Sequence, residues 1–104
     1  MSRVLVVDDE RAIRLALRGL LKKEGYEVVE AESGEAASAA IAEAPFDLVL
    51  TDLALGEVDG LAVLRASKAA RPEVPVVMIT AHGNEKVAVG AMKAGADDYV
   101  PKPF

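Results

Sequence analysis

Apolar residues in this chain cluster in short runs of strand length, and the segments between the runs carry apolar positions at helical spacing. The first run is Val4-Leu5-Val6-Val7, which stops on Asp8-Asp9. Ile13, Leu17, Leu20 and Leu21 then recur as one face of a helix, closed by Gly25 in the manner of a left-handed cap. Glu27-Val28-Val29-Glu30-Ala31 is a shorter and less apolar run, which suits the edge of a sheet. Ser33 is placed to cap an alanine-rich helix running to about Ala44, and Pro45 ends it. The run Phe46-Asp47-Leu48-Val49-Leu50-Thr51 follows and ends on Asp52. Asp59-Gly60 turns into a helix carrying Leu61, Val63 and Leu64, which ends near Arg71 before Pro72. Pro75-Val76-Val77-Met78-Ile79-Thr80 is a fourth strand. A further helix opens at Asn84 or its neighbour, with Val87, Ala91 and Ala94 on one stripe, Gly90 in its interior and Gly95 beyond its end. Asp98-Tyr99-Val100 is a short fifth strand before Pro101-Lys102-Pro103-Phe104.

Strands alternating with helices predict an α/β domain with a parallel sheet and right-handed crossovers. The central runs are apolar throughout rather than alternating, as strands buried on both faces are. No Gly-x-Gly-x-x-Gly follows the first strand and no Walker lysine motif is present. Five strands suit the smaller doubly wound order, 2-1-3-4-5, whose switch point lies between the first and third strands. Those are the strands that end in Asp8-Asp9 and Asp52.

Composition narrows the function classes. A chain of 104 residues makes one domain with a real core. A net charge of −5 argues against direct nucleic-acid binding by this domain. The absence of cysteine removes disulfides and thiolate metal sites, and a single histidine disfavours zinc. The apolar run at residues 4–7 is too short for a signal peptide or a membrane span, so a cytoplasmic protein is expected.

The strand ends carry the chemistry. Asp52 alone reads as a turn residue after a strand, and Asp8-Asp9 alone as negative charge at a helix start. The fold collects all three into one crevice, where two unit charges about 5 Å apart repel by roughly 3 kcal/mol at an effective dielectric near 20. Something positive belongs among them. Hard oxygen ligands in this number suit Mg²⁺, and Lys102 supplies a mobile ammonium after the fifth strand. Thr80 ends the fourth strand with a hydroxyl. A carboxylate nucleophile, a metal, a hydroxyl donor and a cationic clamp are what the uptake of a phosphoryl group requires.

The ordered set Val-Val-Asp-Asp-Glu, Leu-Thr-Asp-Leu, Ile-Thr-Ala and Lys-Pro-Phe resembles the response-regulator receiver domain of two-component signalling, over essentially the whole chain, 1–104. That resemblance implies the flavodoxin-like (CheY-like) fold. It implies Asp52 as acceptor of a phosphoryl group from a sensor histidine kinase or phosphotransfer protein. Asp9 is then a direct Mg²⁺ ligand, Asp8 acts partly through water, and the backbone carbonyl of Ala54 is a further ligand. Thr80 and Lys102 hold the phosphoryl oxygens, Tyr99 is the aromatic that rotates on activation, and the Lys102-Pro103 bond is cis. Ala54 and His82, each two residues beyond a site residue, flank the phosphoryl group and tune hydrolysis; His82 also reads simply as an exposed loop residue. Ile79-Thr80-Ala81-His82-Gly83 and Ala91-Met92-Lys93-Ala94-Gly95-Ala96 resemble receivers of NtrC-type transcription activators, which implies a fused DNA-binding or ATPase output domain. Gly56 stands where the family carries a proline. Receivers also continue into a fifth helix packed beside the first. Without it part of one sheet face is expected to be exposed and apolar, and the chain to be less stable or to form a homodimer through the gap. A haloacid-dehalogenase-type phosphatase shares the Asp, Mg²⁺, Thr and Lys set but needs a second Asp where this chain has Ala54. A docking-only pseudo-receiver would lack one of these residues, and none is missing. A flavin carrier would need aromatic flanks.

Overall fold

The computed structural model describes residues 2–53, 60–80 and 85–101. Five parallel strands alternate with four helices: β1 (Arg3–Val7), α1 (Arg11–Lys23), β2 (Glu27–Ala31), α2 (Gly34–Glu43), β3 (Leu48–Asp52), α3 (Gly60–Ala70), β4 (Val76–Thr80), α4 (Glu85–Lys93) and β5 (Asp98–Pro101). The sheet order is β2-β1-β3-β4-β5, so β2 is an edge strand and the switch point falls between β1 and β3. Asn84 and Asp59, expected at helix starts, lie outside the described residues, as do Gly56 and the Lys102-Pro103 bond.

The strands sit where they do because they are apolar on both sides. Val4, Leu5, Val6 and Val7 are all fully buried. Leu5, Val7, Val49, Val76 and Met78 face α2, α3 and α4, packing with Ala37, Ile41, Val63, Leu64 and Ala91. Val4, Val6 and Val28 face α1 and pack with Leu17 and Leu21. Helix ends follow the punctuation. The Ser33 side chain accepts the Ala36 N–H and caps α2. Gly25 and Gly95 take φ of 90° and 114°. There Tyr26 N–H donates to the Leu21 carbonyl and Ala96 N–H to the Ala91 carbonyl, the six-to-one bonds of a left-handed cap.

Two expected stripes are narrower than the spacing suggests. Leu20 is 59% exposed, so the inward face of α1 is carried by Ile13, Leu17 and Leu21. Among the described side chains of α4, which do not include that of Val87, Ala88 and Ala91 are buried, while Ala94 is exposed past the last helical turn. Among the described residues α1 is the one helix on its face, where it overlies β1 and β2. Beyond it, Leu48, Leu50 and Val77 are half-buried and Val100 is 38% exposed, an apolar strip across β3, β4 and β5.

Candidate functional site

Strand register brings the acids together. Val7 pairs with Thr51 and Asp52 with Ile79, so β1, β3 and β4 end almost level. Asp8 and Asp52 continue the alternate positions Val4–Val6 and Leu48–Leu50, and so emerge on the same side of the sheet. Asp8 extends the ladder by one bond, its N–H donating to the Ala31 carbonyl at 3.1 Å. Asp8, Asp9, Glu10 and Asp52 each place a carboxylate oxygen within 4.8 Å of the others. Asp8 and Asp52 form the buried floor of this cluster, and Asp9 and Glu10 its exposed rim.

The donor set fits Mg²⁺. Oxygens on opposite sides of that ion, at 2.0–2.1 Å each, are about 4.2 Å apart, close to the span of the cluster. The α1 N-terminus opens beside it. Glu10 is the N-cap but forms no side-chain capping bond, while Asp8 Oδ1 accepts the Glu10 N–H at 2.9 Å. The acidic pair therefore does more than cap a helix, since Asp8 is wholly buried and directed at β3.

Thr80 ends β4 and is buried, next to the strand end that carries Asp52; Leu53 N–H donates to the Ile79 carbonyl at 3.0 Å and holds the two together. Thr51 is buried too, its hydroxyl donating to the Asp52 carbonyl at 3.1 Å. Tyr99 lies on β5, paired with Met78 and 39% exposed, two positions short of the strand's end. Ala54, His82 and Lys102 lie outside the described residues.

Two contributors carry no expectation from the acidic-pair pattern. Glu10 joins the cluster because it directly follows the pair and precedes α1. Gly60 opens α3 against the end of β3, its N–H donating to the Leu53 carbonyl at 2.9 Å. A Cβ there would lie 2.2 Å from the Asp52 carbonyl oxygen, so only glycine lets α3 start this close to the acid.

Comparison with known proteins is unambiguous. The sequence pattern of the family described as response regulator receiver domain matches residues 4–104. The transcriptional regulatory protein ResD of Bacillus subtilis is 44% identical over 103 residues, 99% of this chain and 42% of that protein. The transcriptional regulatory protein ZraR of Salmonella typhimurium is 45% identical over 97% of this chain and 23% of its own length. The chain thus spans less than half the length of these curated relatives. Among solved structures, NtrX from Brucella abortus superposes with a TM-score of 0.94 at 45% identity, over 100% of this chain and 24% of that one. A receiver domain protein from Clostridium thermocellum gives 0.93 at 34% identity, over 100% and 84%.

Proposed function

The chain belongs to the response regulator receiver domain family, and from that premise we propose that Asp52 accepts a phosphoryl group and that the product is a changed conformation rather than a released metabolite. The observation that carries this reading is the gathering of Asp8, Asp9 and Asp52 at the switch point of the sheet, with Thr80 on the adjoining strand end.

An Asp52 carboxylate oxygen attacks the phosphorus of a phosphohistidine on a sensor histidine kinase or phosphotransfer protein. A P–O bond forms, the P–N bond breaks, and the leaving imidazole nitrogen takes its electron pair and then a proton. Asp8, Asp9, Asp52 and the backbone carbonyl of Ala54 are the residues that would hold Mg²⁺. Bound there, the ion would supply positive charge to offset the crowded carboxylates and the phosphoryl oxygens. The Thr80 hydroxyl and the Lys102 ammonium hold the remaining oxygens. Water later attacks the phosphorus, the P–O bond to Asp52 breaks, and inorganic phosphate leaves with the Asp52 carboxylate restored, at a rate tuned by the side chains of Ala54 and His82. The chain catalyses only its own phosphorylation and dephosphorylation.

Thr80, drawn toward the phosphorylated acid, carries the signal toward α4, and Tyr99 turns inward behind it. Residues 1–104 act as one receiver domain in the cytoplasm and control a fused DNA-binding or ATPase output, with a sensor histidine kinase or phosphotransfer protein as phosphoryl donor and a second copy of the chain as a further partner. Support for a transcriptional output comes from relatives named as transcriptional regulatory proteins.

Acetyl phosphate with Mg²⁺, read by intact mass, tests the assignment. A single hydroxylamine-labile phosphoryl group is expected on the wild-type chain and none on Asp52→Asn. Stable phosphorylation of Ser33 or Thr80 in its place would refute the assignment.

A further inference from the structure

Arg14 lies one turn into α1, and its side chain is only 13% exposed. Its Nη1 donates to the backbone carbonyl of Asp8 at 2.8 Å, while its Nε donates to Glu30 Oε1 at 3.3 Å. The other Glu30 oxygen accepts from Arg18 Nη1 at 2.6 Å. A hydrogen bond from Arg18 is the largest influence lowering the Glu30 pKa, against an opposing effect of burial, and Arg14 adds to it. Glu30 therefore stays ionised and anchors both arginines to β2.

Asp8 is consequently held at three points, from β2, from α1 and from the turn between β1 and α1. Its N–H is tied to Ala31 at the end of β2, its carbonyl to Arg14 of α1, and its Oδ1 to the N–H of Glu10. We propose that Arg14 is a positioning residue for the acidic site: clamped by Glu30, it fixes the turn from β1 into α1 that presents Asp8 and Asp9. This rests on the reading that these acids hold a divalent cation.

The planar guanidinium is what the task needs, because two donors set at a fixed angle reach two acceptors at once, whereas an ammonium has one nitrogen to offer. Partners that orient metal-binding carboxylates typically cost 10–100-fold in metal affinity when removed. Charge alone predicts the opposite sign. Taking a cation from beside four acids should tighten Mg²⁺ binding, so the direction of the effect separates positioning from electrostatics. Arg18 supplies the control, since it carries the same charge and grips the same Glu30 but makes its bond to that residue rather than to Asp8.

The experiment compares Arg14→Gln, Arg14→Lys and Arg18→Gln in the 104-residue chain. Mg²⁺ affinity is measured by calorimetry, urea midpoints are recorded, and amide exchange at Glu10 is followed in the ion-free protein. Both Arg14 variants are expected to weaken Mg²⁺ binding about tenfold and to speed Glu10 exchange, with Arg18→Gln equal to wild type or tighter. The lysine variant keeps the charge and guards against loss of folding in the glutamine one. Unchanged or tighter binding in Arg14→Lys, or equal losses in Arg14→Gln and Arg18→Gln, would overturn the proposal. A wild-type chain that takes up no Mg²⁺ would instead remove the site reading and this inference with it.

Discussion

Both edges of the sheet carry acids, and the two edges treat them differently. At the amino edge Asp47, Asp97 and Glu27 lie apart and are tied to donors on neighbouring segments. Asp47 accepts the Arg3 N–H at 2.7 Å, which joins β1 to the segment entering β3. Asp97 accepts Lys68 Nζ at 2.7 Å and the Val76 N–H at 2.8 Å, joining α3, β4 and the segment entering β5. Glu27 accepts from the Arg3 side chain at the start of β2. At the carboxyl edge the acids are gathered instead, four of them with oxygens inside 4.8 Å of one another. Exposed one-to-one pairs contribute at most about 1 kcal/mol each, whereas two like charges about 5 Å apart cost roughly 3 kcal/mol at an effective dielectric near 20. One edge uses acids to register strands; the other holds a crowded negative site that a bound cation would relieve. Removing an acid should therefore cost stability at the amino edge and ligand affinity at the carboxyl edge.

The largest expected effect tests how tightly the carboxyl edge is built. In Gly60→Ala the new methyl meets backbone, with the Asp52 carbonyl oxygen at 2.2 Å and Leu53 Cα at 2.7 Å, and neither can swing aside as a flexible side chain would. Overpacking typically costs about 1–3 kcal/mol and occasionally more, and contact with immobile backbone puts this case at the upper end. Urea unfolding should show that loss, together with weakened Mg²⁺ binding as Asp52 is displaced. A variant as stable as wild type would mean that α3 does not constrain the acid.

Next in size is the removal of single acids from the cluster. Asp9→Ala is expected to weaken Mg²⁺ binding at least tenfold, about 1.4 kcal/mol. Glu10→Ala should do far less, although both residues are exposed members of the same group. In the ion-free protein both variants should be as stable as wild type or more so, because like-charge repulsion is relieved. Equal affinities in Asp9→Ala and wild type would contradict the ligand assignment.

The amino edge supplies the converse. Asp97→Asn keeps the shape but loses the charge that Lys68 holds, and should destabilise by about 1 kcal/mol at pH 7, a figure kept small because the acid is nearly half exposed. The hydrogen bond from Lys68, then that from the Val76 N–H, lowers the Asp97 pKa in the folded state. A depressed carboxylate contributes stability that is complete above its unfolded value of about 3.9 and is lost as pH falls through the lower folded value. The gap between variant and wild type should thus be constant above about pH 5 and close below about pH 4, with Mg²⁺ affinity unchanged. A gap that stays constant down to about pH 3 would show that the pair contributes nothing through charge.

The difference between the edges also explains what the chain discloses before it is folded. Strands such as Val4-Leu5-Val6-Val7 are legible because burial on both faces demands an unbroken apolar run, and Asp8, Asp9 and Asp52 because each stops such a run. Sheet order then follows from strand count and alternation, and with it the meeting of those acids. Periodicity marks which helix positions are apolar but not how wide the covered face is, so Leu20 and Ala94 read as inward and are exposed. Arg14 is invisible for another reason: it resembles any charged residue on a helix until β2 brings Glu30 beneath it. Gly60 reads as turn punctuation after Asp59, and only the approach of α3 to the backbone of β3 turns it into a steric requirement.

Gly90 is the counterpart of Gly60, and the smallest effect expected. It sits inside α4 and is exposed, with nothing within 4 Å of where a Cβ would lie. Its φ is not in the left-handed region, and its carbonyl accepts the Ala94 N–H at 3.0 Å. Close packing is therefore not the reason for glycine here. What glycine does is lower the stability of a helix by about 1 kcal/mol relative to alanine, through the backbone freedom lost on folding. Elements that move in signalling come from the low-stability end of a structure, and α4 is the helix that follows Thr80 in the chain. Gly90→Ala should raise stability by about 0.5–1 kcal/mol and increase amide protection across residues 88–94, while leaving Mg²⁺ affinity as it was. If protection in that segment is the same in both proteins, with and without a phosphoryl mimic on Asp52, glycine at this position has no part in loosening the helix.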